Sequence, residues 1–195
     1  VKVKQKQDNV EFAGMVESID QSLGTLMAKL KEHGLEDNTI VMFMSDNGGM
    51  SVMNGTPHFE TTREKIDTRA STSNLPLRGA KGWLYEGGIR VPCIMRWPGK
   101  IAAGKTNDGL MATIDLLPTV AALSGAKVPD DRIIDGVNQL DFILGNSKTA
   151  RTSYLYNPGS ASVQTRILKG NAIREGHWKL ISPLKVGMFL SLIHI

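Results

Sequence analysis

The chain has 195 residues, of which 41% are hydrophobic and 22% are charged, and its formal net charge is +4. These values are ordinary for a folded domain and exclude a chain that is disordered throughout. The positive charges are scattered apart from Lys2, Lys4 and Lys6, which argues against nucleic acid as a partner. No apolar run approaches the ~18 residues of a membrane span. The single cysteine, Cys93, excludes an internal disulfide, and its apolar neighbours predict a buried, inert thiol.

The first two predicted elements are a helix and a strand. Apolar residues recur every three or four positions over residues 10–31, which predicts an amphipathic helix that ends at Gly34. Residues 39–45 form a continuous apolar run, which is typical of a strand covered on both faces in a parallel sheet. This strand runs directly into Asp46, Asn47 and two glycines.

The middle of the chain predicts a long loop, a strand and a second helix. Residues 50–77 are polar and show neither helical nor strand periodicity. Residues 89–97 predict a strand, in which Pro92 and Pro98 indicate an edge position or strand ends. A further helix is predicted to begin at Thr113 or Asp115 and to end at Gly125.

Short strands are predicted in the last part of the chain. Residues 152–157 and 171–181 are strand candidates separated by Gly, Ser and Asn, which indicates a small, more antiparallel region. The last residues, LSLIHI, are apolar, and no turn motif or partner strand is evident for them in the sequence. We therefore expect a truncated or artefactual end there. The first residues show neither an initiator methionine nor the pattern of a signal peptide, and we expect the chain to begin inside a longer protein.

Asp46 and Asn47 are candidate metal ligands. Hard divalent cations take oxygen ligands from carboxylates and amides, and ligands gather at the carboxyl ends of strands in open α/β sheets. The glycines that follow would let the backbone turn away from such a site. A plain Asp-Asn-Gly turn is the alternative, and this motif alone leaves both interpretations open.

Lys81 is a candidate ligand for an anionic group. It lies among glycines in RGAKGW, just ahead of a predicted strand, where a compact ammonium group can reach into a site. Such a charge would bind sulfate or phosphate and stabilise charge on a leaving oxygen. A solvated surface lysine is the alternative. His58, in the long loop, is a weaker substrate-binding candidate, and an exposed loop histidine is the simpler interpretation.

Taken together, three stretches resemble the sulfatase family, the arylsulfatase-like branch of the alkaline-phosphatase superfamily. They are DNTIVMFMSDNGG, LRGAKGWLYEGGIRVP and WPGKI, and the resemblance extends from about Phe12 to Ile181. It implies an α/β fold: part of an alkaline-phosphatase-like sheet covered by helices, with a small C-terminal α+β subdomain. We expect residues 1–150 to belong to the catalytic domain and residues 151–195 to the subdomain.

The resemblance also implies roles for individual residues. Asp46 and Asn47 match the pair that ligates calcium or magnesium beside the sulfate group. Lys81 matches the lysine that contacts the substrate's sulfate and is the catalytic candidate of this chain. The family motif requires no histidine at the position of His58. Residues 86–88 match a structural turn.

One departure from the family is as informative as the match. The family's nucleophile is a formylglycine made from a Cys/Ser-x-Pro-x-Arg motif, and this sequence has no such motif. Cys93 cannot supply it, because no proline lies two residues further on. We therefore expect the formylglycine in a preceding segment, and we expect the isolated chain to be inactive.

The expected function is hydrolysis of a sulfate ester on a small molecule or glycan, within a longer protein that is periplasmic or secreted. Two alternatives stay open from the sequence. One is a phosphatase or phosphonate hydrolase of the same superfamily, with a different nucleophile. The other is a non-catalytic domain that binds sulfated glycans.

Overall fold

The computed structural model describes residues 3–51, 70–156, 170–183 and 191–194. His58 and most of the predicted loop 50–77 lie outside this described part. The described helices are α1 (Val10–Glu32), α2 (Glu86–Ile89), α3 (Leu116–Ser124) and α4 (Leu140–Ile143), with 3-10 turns at Glu36–Asn38 and Thr113–Asp115. The described strands are β1 (Val41–Met44), β2 (Cys93–Arg96), β3 (Ser153–Tyr156), β4 (Gly170–Glu175), β5 (Trp178–Pro183) and β6 (Ser191–His194).

The first helix matches its prediction at both ends. Asn9 caps it, and its side-chain oxygen accepts a hydrogen bond from the Phe12 amide at 2.8 Å. His33 is the C-cap residue and Gly34 follows in the left-handed region with φ of 64°. No residue of α1 is buried against the described residues, so its apolar face is open there. None of the described helices is long and apolar enough to cross a membrane.

The first strand lies in a two-stranded sheet with β2, and this pairing corrects one prediction. The strands are antiparallel, with Met42 opposite Met95, whereas a parallel neighbour was predicted. All four residues of β1 are only half-buried against the described part of the chain. An apolar run shows that a strand packs against something, but it carries no information on the direction of its neighbour. Pro92 and Pro98 flank β2, as predicted.

Cys93 is exposed, which corrects the prediction of a buried thiol. It is the first residue of β2, where Ile94 is also exposed. The apolar composition of this stretch therefore reflects strand formation rather than burial within the described residues.

A small apolar core surrounds the segment that precedes α2. Trp83 packs with Val3 and Ala80, while Leu84 packs with Ala172 and Ile181 of the C-terminal sheet. Adjacent residues of one segment thus contact the beginning of the chain on one side and β4 and β5 on the other. This arrangement places the residues that follow Lys81 between the beginning of the chain and the C-terminal sheet.

The region around α3 is held by buried polar groups. Asp115 is fully buried and forms an ion pair with Arg151. Its carboxylate also accepts from the Ala112 and Val137 amides, both at 2.9 Å. Burial alone would raise the pKa of Asp115, but the hydrogen bonds from Arg151 and these amides outweigh it and hold that pKa below its ordinary value. The helix ends at Gly125, as predicted.

The last part of the chain is an antiparallel sheet in the order β3-β4-β5-β6. The prediction of short antiparallel strands is confirmed, and the stretch 171–181 proves to be a hairpin with Gly176 and His177 in its turn. The end of the chain, interpreted above as lacking a partner, forms β6 and pairs with β5. Every strand of this sheet lies beyond residue 150; the proposed domain division there stays a prediction.

Candidate functional site

The first component of the site is the turn that follows β1. The Asp46 side chain is exposed and its Oδ1 accepts from the Asn47 amide at 2.9 Å. The Ser45 hydroxyl donates to the Asn47 carbonyl at 3.1 Å, and the Asn47 side-chain amide donates to the Gly48 carbonyl at 3.1 Å. These short-range bonds hold the turn in one shape while the Asp46 carboxylate faces solvent.

The second component is the loop that carries Lys81. The Lys81 amide donates to the Gly49 carbonyl at 3.1 Å, so the lysine is attached through its backbone to the turn after β1. The Lys81 side chain is exposed, and none of the described residues accepts a hydrogen bond from its ammonium group. Gly79 and Gly82 have φ of 90° and 84°, a conformation that other residues rarely adopt. The glycines around the lysine thus shape the loop.

The third component is α2, which binds both of the others through its backbone. The Gly48 amide donates to the Gly88 carbonyl at 3.0 Å, and the Gly87 amide donates to the Arg78 carbonyl at 2.7 Å. The approach is so close that a Cβ on Gly48 would lie 2.0 Å from the Gly87 carbonyl oxygen. Residues 86–88, predicted as a turn, are therefore the first turn of a short helix that touches both candidate loops.

Asn74 joins the three components, and sequence reasoning missed it. Its side-chain Nδ2 donates to the carbonyls of Gly49 at 2.8 Å, Gly79 at 3.1 Å and Gly87 at 2.9 Å. One glycine carbonyl comes from each component. The residue lies in a stretch with no periodicity, and an asparagine among Ser, Thr and Pro signals only a turn.

The C-terminal sheet reaches the site through one buried ion pair. Lys179 of β5 is 1% exposed, and its Nζ lies 2.9 Å from Oε1 of Glu86, the first residue of α2. The same Nζ lies 4.4 Å from the centre of the Tyr156 ring. Burial lowers the pKa of Lys179 although the hydrogen bond to Glu86 opposes this effect. The pKa of Tyr156 is raised to about 12, mainly by burial and to a smaller extent by the negative charge of Glu86.

The structure thus joins Asp46, Asn47 and Lys81 through the backbone of one assembly of loops. Arg90 is exposed at the C-terminal end of α2. His58 belongs to the part that is not described, so its position relative to these residues stays a prediction. Among the described residues, no group of three or more His, Cys, Asp or Glu side chains forms a complete metal centre.

A hard divalent cation fits the donors that the turn offers. The Asp46 carboxylate is exposed, and only one of its oxygens has a partner among the described residues. Asn47 adds a neutral amide oxygen one residue further on. Calcium takes about six to eight oxygens, so these two side chains would supply only part of a coordination sphere.

Comparison with known proteins decides the family. The family model described as "Sulfatase" matches residues 4–126. This chain belongs to the sulfatase family. A second model, described as the C-terminal part of N-sulphoglucosamine sulphohydrolase, matches residues 80–192. Family membership implies a bound metal ion and a formylglycine in general.

Curated relatives of the sulfatase chain carry the same assignment. Steryl-sulfatase of Mus musculus is 34% identical over 169 residues, which are 86% of this chain and 25% of that protein. Arylsulfatase A of Homo sapiens is 37% identical over 168 residues, which are 86% of this chain and 29% of that protein. The chain thus spans about a quarter of the length of these relatives.

Solved structures confirm the fold class. Ps i-CgsB in complex with k-i-k-neocarrahexaose superimposes with a TM-score of 0.72 at 32% identity, over 97% of this chain and 37% of that one. The PsFucS1 sulfatase from Pseudoalteromonas sp. superimposes with a TM-score of 0.70 at 26% identity, over 98% of this chain and 40% of that one. The predicted α/β, alkaline-phosphatase-like fold is confirmed by these neighbours.

Proposed function

We propose that this chain supplies the metal-binding and sulfate-binding loops of a sulfatase that hydrolyses a sulfate ester to an alcohol or phenol and inorganic sulfate. The observation that carries the proposal is the 3.1 Å hydrogen bond from the Lys81 amide to the Gly49 carbonyl. It joins the loop with the candidate sulfate ligand to the turn with the candidate metal ligands. The relatives reported above are named as sulfatases, which favours this reaction over phosphate ester hydrolysis.

In this proposal Asp46 and Asn47 hold calcium or magnesium through a carboxylate and an amide oxygen. The bound cation supplies Lewis-acid polarisation of the sulfate and neutralises part of its charge. Asp46 suits this role because its carboxylate faces solvent, while the bonds within the turn already fix its backbone. The turn therefore loses little conformational entropy when its side chains take up a ligand.

Lys81 holds the sulfate and stabilises the negative charge that develops on the leaving oxygen. Its ammonium group has three donors and no acceptor, which suits a tetrahedral anion. The exposed side chain is anchored at its backbone by Gly49, so the loop sets where the ammonium group can reach. The nucleophile, a formylglycine, is proposed to lie in sequence outside this chain.

Substitution of Lys81 in the longer protein that includes this chain tests the assignment. Removal of a charge-stabilising group from an active site costs about 10²- to 10³-fold in kcat. We expect Lys81→Ala to lower kcat for a synthetic aryl sulfate by this factor, while Lys100→Ala, at another exposed lysine, leaves it unchanged. Wild-type activity in Lys81→Ala would overturn the assignment.

The metal assignment has its own test, which is a titration with calcium measured by isothermal titration calorimetry. We expect Asp46→Asn to weaken calcium binding by at least about tenfold, since it removes the anionic ligand of the pair. Asp37→Asn, at an exposed carboxylate in the preceding 3-10 turn, is the matched control. Retention of sulfated glycan without any calcium dependence would instead support a binding domain that lacks catalysis.

We also propose that the longer protein acts outside the cytoplasm, in the periplasm or after secretion. Sulfated glycans, one of the two expected classes of substrate, are extracellular polymers. Fractionation of the producing cells with an antibody to this chain tests the proposal, and recovery of the protein in the cytoplasmic fraction would contradict it.

A further inference from the structure

A second buried group, outside the candidate ligands, bears on the same site. Lys179 is 1% exposed and its Nζ lies 2.9 Å from Glu86 Oε1, which is 15% exposed. The Tyr156 ring covers the ammonium group at 4.4 Å. A buried lysine costs several kcal/mol in desolvation unless it is paired. If this position of β5 served only for apolar packing, a charged side chain there would give no advantage over an apolar one.

The partner of Lys179 occupies the point from which α2 holds both candidate loops. Glu86 begins α2, and the next two residues, Gly87 and Gly88, bind Arg78 and Gly48 through their backbones. Leu84 packs against Ala172 and Ile181 in the same interface. The apolar contacts bring the sheet and the loop together, whereas the ion pair fixes where α2 begins.

We propose that Lys179 is a positioning residue for the sulfate and metal loops, acting through Glu86 and α2. The inference rests on the proposed function of those loops. Lys179 touches neither ligand, and the sequence gives no sign of its role, because it lies 93 positions from Glu86. The C-terminal sheet is thereby a support of the site, connected to it by a defined pair of charges.

The physical consequence of losing the ammonium group is specific. Glu86 would remain as a largely buried carboxylate without its partner, and such a charge turns towards water. Because Glu86 is the first residue of α2, its movement shifts Gly87 and Gly88 and weakens their bonds to Arg78 and Gly48. Lys81 depends on the same assembly through Gly49.

Amide hydrogen exchange of the 195-residue chain measures this coupling without any need for activity. In Lys179→Met we expect exchange to accelerate by about tenfold or more at the amides of Gly48, Lys81 and Gly87, with smaller changes between β3 and β4. Lys179→Arg keeps the charge and should restore slow exchange. Lys29→Met, which removes one side of an exposed ion pair, is the control and should leave all three amides unchanged.

If Lys179→Met fails to fold, Glu86→Gln decides the question, since it keeps the shape of the side chain and removes its charge. Faster exchange confined to the three amides supports the proposal. Acceleration in the sheet alone, or by one common factor throughout the chain, would overturn it, because either pattern describes a residue that only stabilises the fold.

A kinetic test in the longer protein separates this inference from the proposed function. Misplacement of a ligand-holding loop costs up to about 100-fold in rate. We expect Lys179→Met to raise KM for an aryl sulfate and to lower kcat, and Lys179→Arg to recover both. Unchanged constants in a folded Lys179→Met enzyme would overturn the inference, whereas a wild-type protein without sulfatase activity would overturn the proposed function and leave the exchange result valid.

Discussion

At the scale of single residues, Asn74 connects the three components of the candidate site. Its side-chain amide is the common donor to three glycine carbonyls that belong to three different segments. Glycine carbonyls at such a junction cannot all be satisfied by regular secondary structure. The Asn74 amide group, with two hydrogens on a planar nitrogen, adds a side-chain donor at this junction.

We predict that Asn74→Ala lowers the free energy of unfolding by about 1–3 kcal/mol, chiefly because the buried Gly87 carbonyl loses the donor of its 2.9 Å hydrogen bond. Urea denaturation followed by circular dichroism measures this change. Asn146→Ala, at an exposed asparagine after α4, is the control and should be neutral. Equal stability of the two variants would show that water or a neighbouring group replaces the Asn74 amide.

At the scale of elements, the site depends on how closely α2 approaches the turn after β1. A Cβ on Gly48 would lie 2.0 Å from the Gly87 carbonyl oxygen, and a Cβ on Gly87 would lie 2.5 Å from the Gly79 carbonyl oxygen, so neither position has room for a side chain. This approach explains why glycines follow the acid and the amide. Their absence of a Cβ matters as much here as their conformational freedom.

We predict that Gly48→Ala destabilises the chain by about 3 kcal/mol, at the upper end of the range for overpacking. The added methyl would meet the Gly87 carbonyl oxygen, which is backbone and cannot turn away. Gly24→Ala in α1 is the matched control, since nothing lies within 4 Å of its added Cβ. It should raise stability by roughly 0.5–1 kcal/mol. Thermal unfolding of the two variants gives the comparison.

A second element, α3, is anchored by the buried pair of Asp115 and Arg151. The pair connects the start of the helix to the segment just before β3, and Gln139 and Thr119 complete the network. It therefore joins the regions before and after residue 150 by hydrogen bonds between buried groups.

The sign of the pH dependence follows from the lowered pKa of Asp115. A carboxyl group whose pKa is lower in the folded state than in the unfolded state stabilises the fold at a pH above its unfolded-state pKa. This stabilisation is lost as the pH falls through the folded-state pKa. We predict that Asp115→Asn costs about 3–5 kcal/mol at neutral pH, because Arg151 is left buried without its partner. It should also flatten the dependence of stability on pH below about 4.

Denaturation at a series of pH values checks the prediction for Asp115. Asp131→Asn, in an exposed pair with Arg132, is the control and should leave the curve unchanged. A variant at Asp115 whose stability keeps the full acid dependence of the wild type would show that other carboxyl groups determine it.

At the scale of the whole molecule, local signals predicted the elements and could not predict their pairing. The helix α1 was predictable because its apolar periodicity and its terminal glycine agree. The same holds for the helix that ends at Gly125. The antiparallel partner of β1 was missed, since a strand's sequence does not encode the direction of its neighbour, and the exposure of Cys93 was missed for a related reason.

The candidate ligands were predictable from the sequence, whereas the residues that hold the ligand-bearing loops in place were not. Asp46, Asn47 and Lys81 lie in short motifs whose residue types match the chemistry of a metal and an anion. Asn74 and Lys179 act through contacts with residues distant in sequence, such as Glu86, so no local pattern reveals them. Such supporting residues are visible only when the fold brings the segments together.

The central claim is that the turn after β1 and the Lys81 loop form one site. A crystal structure of the longer protein grown with calcium and sulfate tests it most directly. The account predicts calcium within roughly 2.3–2.6 Å of Asp46 and Asn47 side-chain oxygens, and a sulfate oxygen within hydrogen-bond distance of Lys81 Nζ. Calcium bound elsewhere, or a Lys81 ammonium group directed away from the sulfate, would contradict it.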